Sequence, residues 1–303
     1  MIKVRVPATS ANMGPGFDCL GVALNLYNEY GFEEIEDGLV FEGFPKEFSN
    51  KDNIIYKSML KVFEVCKYKI KGIKIKLLKN DIPIARGLGS SSSCIVAGLV
   101  GANNLLGNKL SKNALLNLAV EIEGHPDNVA PALLGGIVIA VIENGKTIYE
   151  KIENKNNLSF ISIIPDFKLE TEKARSVLPK NLTYEDSVYN IGRAALIAIG
   201  LNNGNNEILR IACKDKLHEP YRNSLIKGID LIKKEAYNNG ALASYLSGAG
   251  PTIMIIVERL GCFTKSMEAF LKDMKFSYKI LELSVDIKGA IVIEGDKWWR
   301  ENI

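Results

Sequence analysis

The sequence predicts an α+β fold in two packed units, and three observations carry the prediction. The 303 residues are about twice the ~150 that make one ordinary domain. Apolar residues alternate in some stretches and recur at helical spacing in others, in both halves of the chain. These stretches do not follow a regular β-α-β-α order, which favours sheets covered by helices on one face over a doubly wound parallel sheet.

Residues 2–6 alternate apolar side chains with Lys3 and Arg5, and Ile73, Ile75 and Leu77 alternate with Lys74 and Lys76, the period-two pattern of half-buried strands. Between them Asn53 can cap a helix in which Ile54, Ile55, Met59, Leu60, Val62, Phe63 and Val65 recur at helical spacing. A second helix is predicted to begin within residues 90–93 and run through 99–106, and a third covers 115–123 after the capping residue Ser111. The longest apolar stretch, residues 129–142, contains Pro131, Gly135 and Gly136 and reads as a turn feeding a strand over 136–142. It is shorter than the roughly 20 residues a membrane helix needs. Residues 145–157 turn polar and mark the boundary between a unit of residues 1–154 and one of residues 155–303. The second unit opens with a strand-like run at 158–164, continues through helices near 184–201 and 221–237, and closes with strands near 253–257, 279–285 and 290–294.

Hydrophobic residues at 47% and charged residues at 24% exclude a disordered or fibrous chain. With 38 Lys+Arg against 35 Asp+Glu the net charge is +3, too small an excess to imply a nucleic-acid partner. Cys19, Cys66, Cys94, Cys213 and Cys262 are odd in number and form no CxxC pair, so neither a disulfide framework nor a zinc cluster is expected. The opening residues carry no signal-type apolar run, and a reducing, cytoplasmic setting away from any membrane is the expectation.

The most informative segment is Pro83-Ile84-Ala85-Arg86-Gly87-Leu88-Gly89-Ser90-Ser91-Ser92-Ser93, which follows a predicted strand and opens a predicted helix. Gly87 and Gly89 permit backbone angles closed to other residues and let a phosphate approach the amides, while the helix N-terminus supplies unpaired N–H groups and partial positive charge. The serine hydroxyls can add hydrogen bonds or a magnesium ligand. No Gly-Lys-Ser/Thr follows, so this is not a Walker A loop, and four serines replace the third glycine of a dinucleotide fingerprint. Two more glycine loops, Asn12-Met13-Gly14-Pro15-Gly16-Phe17-Asp18 and Ser247-Gly248-Ala249-Gly250-Pro251-Thr252, suggest backbone shaped around a ligand.

In these three segments, taken in order, the chain resembles the GHMP kinases. Gly124-His125-Pro126-Asp127-Asn128 and His218-Glu219-Pro220-Tyr221-Arg222 narrow the resemblance to the member that phosphorylates the side-chain hydroxyl of L-homoserine, giving O-phospho-L-homoserine for threonine biosynthesis. The resemblance implies a ribosomal S5 domain 2-like N-terminal domain, a ferredoxin-like C-terminal domain, a cleft between them, and a homodimer. It also implies ATP and Mg2+, with residues 83–93 cradling the phosphates, Ser90 or Ser91 reaching the metal, and Glu121 as its carboxylate ligand with Glu123 as the alternative.

Phosphoryl transfer needs a triphosphate cradle, a cation and a nucleophile held in line. An amino-acid substrate needs an acceptor-rich wall, which Asn12 and Asp18 can supply, and an arginine fork for its carboxylate. The resemblance implies Arg175 and Arg222 for that fork with Thr171 nearby, His125 as a substrate contact, and Asn128 and Arg175 as the catalytic residues. Because an amide accepts no proton as a base does, Asn128 would orient the substrate hydroxyl, with Asp127 as the alternative base. His218 reads as structural. A GHMP kinase for another alcohol, such as shikimate or mevalonate, and a non-catalytic GHMP-fold sensor are the alternatives.

Overall fold

Strand β1 (Ile2–Ala11) opens the chain and alternates inward-facing Val4, Val6 and Ala8, then stays buried on both faces to Ala11. In this computed structural model, which describes residues 1–153, 158–274, 276–294 and 297–298, β1 lies antiparallel to the 16-residue β2 (Leu20–Ile35). β3 (Gly38–Glu42) then pairs parallel with β4 (Gly72–Asn80) after helix α1 (Ile54–Val65), whose N-terminus Asn53 caps by accepting from the Ile55 and Tyr56 amides. Helices α2 (Ser90–Leu105) and α3 (Lys112–Glu123) follow, the latter capped by Ser111.

Residues 129–134 depart from the expected turn, because they belong to a helix, α4 (Pro126–Leu134), ahead of β5 (Ile137–Glu143). The start is standard, with Pro126 at the first helical position and Asp127 in the first turn. Pro131 is tolerated because it deprives only the Asp127 carbonyl of an intrahelical donor, and that carbonyl instead packs against Gly21, where a Cβ would overlap it.

The polar stretch after residue 145 also differs from expectation. It contains β6 (Lys146–Ile152), the outer half of a hairpin with β5. The boundary placed at 154/155 itself lies outside the described residues. Beyond it come β7 (Ser159–Pro165), α5 (Thr171–Ser176), α6 (Tyr184–Asn203), α7 (Asn206–Ala212), α8 (Glu219–Arg222), α9 (Ile229–Asn238), β8 (Ala243–Leu246), β9 (Ile253–Val257), α10 (Phe263–Lys272) and β10 (Tyr278–Leu283). The helix expected over 221–237 is split into α8 and α9, with the left-handed Gly228 preceding α9.

Among the described residues the second sheet has the order β10-β7-β9-β8 and is antiparallel throughout. The first has the order β12-β11-β1-β2-β4-β3, with β5 joined to β2 and β6. Its strand β11 (Ile291–Glu294) pairs with β1, and β12 (Lys297–Trp298) with β11, so these C-terminal strands add to the first sheet although the sequence reading assigned them to the second unit. One core packs Val4, Phe32, Ile75, Ile95 and Leu116 between the first sheet and its helices, another packs Ile163, Ile232, Ile255 and Met267 against the second sheet. A third, including Ala8, Leu88, Phe160 and Tyr245, joins the two sheets. Each fully buried aliphatic side chain contributes about 2 kcal/mol, so this joining core holds the two halves of the site in register.

Candidate active site

A cleft of about 590 Å³ gathers side chains from all the segments singled out in the sequence. At one wall the loop after β4 turns into α2 with Ala85, Gly87 and Gly89 all at positive φ, Gly89 (φ 71°) being the N-cap. This backbone bares the first amides of α2 to the cleft, the arrangement that binds anions. Ile84, Ala85, Arg86, Gly87, Gly89, Ser90, Ser91 and Ser92 line the cleft, whereas Pro83, Leu88 and Ser93 do not. Leu88 points into the core joining the sheets, and the Ser93 hydroxyl turns back to donate to the Ser90 carbonyl. The loop is fastened from the second sheet: Arg86 Nε donates to the Pro165 carbonyl (3.1 Å) and the Ser247 hydroxyl to the Gly87 carbonyl (2.6 Å).

The carboxylate facing the serines is Glu123. The Ser92 hydroxyl donates to it at 2.9 Å and that of Ser91 at 3.4 Å, and burial pushes its carboxyl above the ordinary range despite the opposing pull of His125. Glu121, the ligand expected by resemblance, is on the outer side of α3, exposed and paired with Lys61 at 3.1 Å. The reason is helical periodicity. Leu115, Leu116, Ala119 and Val120 form the buried face, Glu123 continues it at i+3 and i+4, and residues two apart on a helix point away from each other.

At the head of α4 the His125 Nδ1 lies 2.5 Å from Asp127 Oδ1, and Asn128 Nδ2 donates to the same oxygen at 3.3 Å. Burial lowers the His125 pKa, but the hydrogen bond and charge of Asp127, with the charges of Asp18 and Glu123, outweigh it and leave the imidazole above its ordinary value near 6.5. A raised histidine pKa stabilises the fold fully below the unfolded value and loses that contribution as pH rises through the folded one. His125→Asn is therefore expected to lower Tm most below about pH 6.5, with the deficit shrinking as pH rises. A deficit that stays constant across thermal melts from acid to alkaline pH would contradict this.

The third wall carries the charges. Asp18, at φ 58°, receives both terminal nitrogens of Arg175 (3.1 and 2.6 Å), and its amide donates to Asn12 Oδ1, while Asn12 Nδ2 donates to the Gly248 carbonyl. Burial lowers the Arg175 pKa but Asp18 more than restores it. Arg222 is 2% exposed. Its Nε donates to the Ala174 carbonyl and Nη1 to the Gly248 carbonyl and to His218 Nδ1, leaving Nη2 without a partner among the described residues. Burial, and then the Arg175 charge, lower its pKa to about 10, so it remains a cation at neutral pH. His218 is structural as expected: with Nδ1 accepting from a guanidinium, its Nε2 donates to the Gly14 carbonyl, and its ring stacks on Phe17. Thr171 heads α5 at the same wall.

Sequence reasoning missed two contributors. Phe44, Pro45, Phe48 and Asn53 line the cleft from the segment leading into α1. Thr9, quoted only as part of a motif, donates its hydroxyl to Asn128 Oδ1 at 2.8 Å. The sequence carried no local signal for it, because a threonine alternating with Val4, Val6 and Ala8 reads as the polar face of a half-buried strand, and its burial comes from segments remote in the chain.

Among the described residues no helix is long and apolar enough to cross a membrane. Residues 53–136 match the GHMP kinases N terminal domain and residues 193–261 the GHMP kinases C terminal domain. Homoserine kinase of Clostridium beijerinckii is 58% identical over 298 residues, covering 98% of this chain and 100% of that one. Homoserine kinase of Clostridium botulinum strain Okra is 50% identical over 293 residues, covering 96% and 98%. The solved homoserine kinase of Cytophaga hutchinsonii superposes with a TM-score of 0.86 at 31% identity, covering 96% of this chain and 97% of that one. L. major mevalonate kinase shares the fold with a TM-score of 0.70 at 16% identity, covering 93% and 95%. Identity at this level over nearly the whole chain, on a fold shared with solved members, makes this chain a member of the homoserine kinase family within the GHMP kinases.

Proposed function

We infer that this chain transfers the γ-phosphoryl group of ATP to the side-chain hydroxyl of L-homoserine. The observation that carries the reading is the meeting, in one cleft, of an anion-binding helix N-terminus with a wall holding both an acceptor-rich carboxylate and two guanidinium groups. The alternatives of a different alcohol or a non-catalytic sensor have no comparable support.

The α2 amides and the Gly87–Ser92 backbone receive the triphosphate. Glu123 and Ser91 supply hard oxygen donors of the kind Mg2+ takes, beside the phosphate cradle, and this donor set fits the ion. When bound, Mg2+ offsets charge on the phosphate oxygens. Asp18 takes the substrate ammonium and Arg175 and Arg222 its carboxylate, with Asn12, Thr171 and His125 completing the wall. The Asp18–Arg175 pair keeps both charges compensated before a zwitterion binds, and the zwitterion then matches each partner with an opposite charge. Asn128 Oδ1 accepts from the substrate hydroxyl and aims its oxygen at phosphorus; the proton leaves to the transferring phosphate oxygens or to solvent. Arg175, which lines the same cleft, is assigned to offset charge developing in transfer, so catalysis is positioning plus electrostatic stabilisation.

Two further readings accompany this one. The exposed apolar side of α6, Tyr184, Val188, Ile191 and Ile199 at spacings of four, three and eight, suits a homodimer contact, which native mass measurement checks. Five free cysteines suit a reducing cytoplasm.

The test is coupled ADP release with MgATP across homoserine, serine, threonine, shikimate and mevalonate, where strong preference for homoserine is expected. Arg175→Ala and Arg222→Ala are each expected to raise KM for homoserine by about 100-fold with KM for ATP changed by less than about three-fold. An unchanged homoserine KM in both variants would remove the arginines from the substrate site.

A further inference from the structure

Asn128 must present its amide oxygen to the substrate hydroxyl, and nothing in its backbone dictates which end of the amide faces the cleft. The two ends differ only by exchange of O and NH2, and the terminal torsion of asparagine is broad. Two neighbours settle the choice. Nδ2 donates to Asp127 Oδ1, an oxygen that also takes His125 Nδ1. A carboxylate accepts and does not donate, so the nitrogen belongs on that side and Oδ1 on the other. There Oδ1 receives the hydroxyl of Thr9 at 2.8 Å, from a residue 119 positions away in the chain.

Thr9 also touches the nucleotide loop. Its amide donates to the Leu88 carbonyl at 3.2 Å, and its hydroxyl occupies the space where Gly89 lacks a Cβ. Thr9 is fully buried and does not line the cleft, so it reaches neither substrate directly. An apolar side chain would fill the same volume, and among the described residues the buried hydroxyl is satisfied through Asn128 alone. Ser10, its polar neighbour, spends its hydroxyl elsewhere, on Ser247 and Tyr245.

We propose that Thr9 is a positioning residue that fixes the orientation of the Asn128 amide and ties it to the phosphate-binding loop, so that one side chain keeps the substrate hydroxyl and the γ-phosphate in register. The Thr9 hydrogen bond occupies one lone pair of Oδ1 and leaves the other for the substrate O–H. It also draws electron density from that oxygen, in keeping with an amide that orients rather than takes the proton. The proposal rests on the reading that Asn128 orients the substrate hydroxyl, and the experiment separates the two.

Thr9→Val, Thr9→Ser, Asn128→Ala and the double variant Thr9→Val/Asn128→Ala are assayed by coupled ADP release, with thermal melts to follow folding. Thr9→Val is expected to lower kcat by about 10- to 100-fold, the scale of a small misplacement of a reacting group. Its KM values for homoserine and ATP should stay within about three-fold of wild type, since no ground-state contact is removed. Thr9→Ser, which keeps the donor, should recover kcat to within about five-fold of wild type. In the Asn128→Ala background, Thr9→Val should cost less than about two-fold more. A wild-type kcat for Thr9→Val beside an impaired Asn128→Ala would overturn the proposal and leave the role of Asn128 standing. The same loss with and without Asn128 would also overturn it, because Thr9 would then act by another route. A wild-type kcat for Asn128→Ala would bring down the site reading and the proposal together. If Thr9→Val does not fold, Thr9→Ser against Thr9→Ala gives the same comparison, with activity kept by the first and lost by the second.

Discussion

Glu123→Gln is expected to lower kcat by about three orders of magnitude, while Glu121→Gln, two residues earlier, keeps kcat within about two-fold of wild type. Glutamine keeps the size of Glu123 and one oxygen but removes the charge that a hard divalent cation requires. Glu123 is half-buried, receives the Ser91 and Ser92 hydroxyls, and borders the phosphate loop. Among the described residues Glu121 makes an exposed ion pair with Lys61, which solvent screens, and neither residue lines the cleft. The informative measurement is kcat as a function of Mg2+ concentration for both variants. Partial recovery of Glu123→Gln at high Mg2+ would identify the defect as weakened metal binding. A collapse of Glu121→Gln with an active Glu123→Gln would reverse the assignment.

The same contrast shows which parts of the molecule were legible in the sequence. Elements with a strong local signal were readable: the alternation at residues 2–6, the Asn53 cap before α1, and the Gly-Ser loop at the head of α2. A glycine-loop motif pointed to Asp18 and the family resemblance to Arg175 and Arg222, all of which line the cleft, but neither pointed to the ion pair between Asp18 and Arg175, which joins residues 157 apart. Glu123 was within reach of sequence reasoning, since extending the buried stripe of α3 by one turn selects it over Glu121. Helix α4 was hidden because Pro131 and the glycines after it are helix breakers by local rules. Its neighbour Gly21, which receives the freed Asp127 carbonyl, is remote in sequence. Strand β11 was recognised as a strand, but its partner β1 is at the other end of the chain, and no local pattern encodes such a pairing. Thr9 escaped for the same reason: its role depends on a contact across 119 residues.

Gly89→Ala is expected to disturb the fold and the phosphate loop together, and it separates two costs of replacing glycine. Gly89 has φ +71°, so alanine meets the left-handed penalty of about 1–2 kcal/mol. Its Cβ would also overlap the Thr9 hydroxyl oxygen and come within 3.2 Å of the Thr9 backbone nitrogen. Either Thr9 turns away and releases Asn128, or the loop lifts and the first α2 amides lose their aim. Both routes should lower kcat by about 100-fold or more, and the second should raise KM for ATP as well. Gly107→Ala is the control, because Gly107 has φ +75° yet nothing within 4 Å of its added Cβ. Gly107→Ala should therefore lose only the strain energy, seen as a modest fall in Tm with unchanged kinetics. If the two variants lose the same stability and both keep wild-type kcat, close packing between Thr9 and the loop has no part in holding the site together.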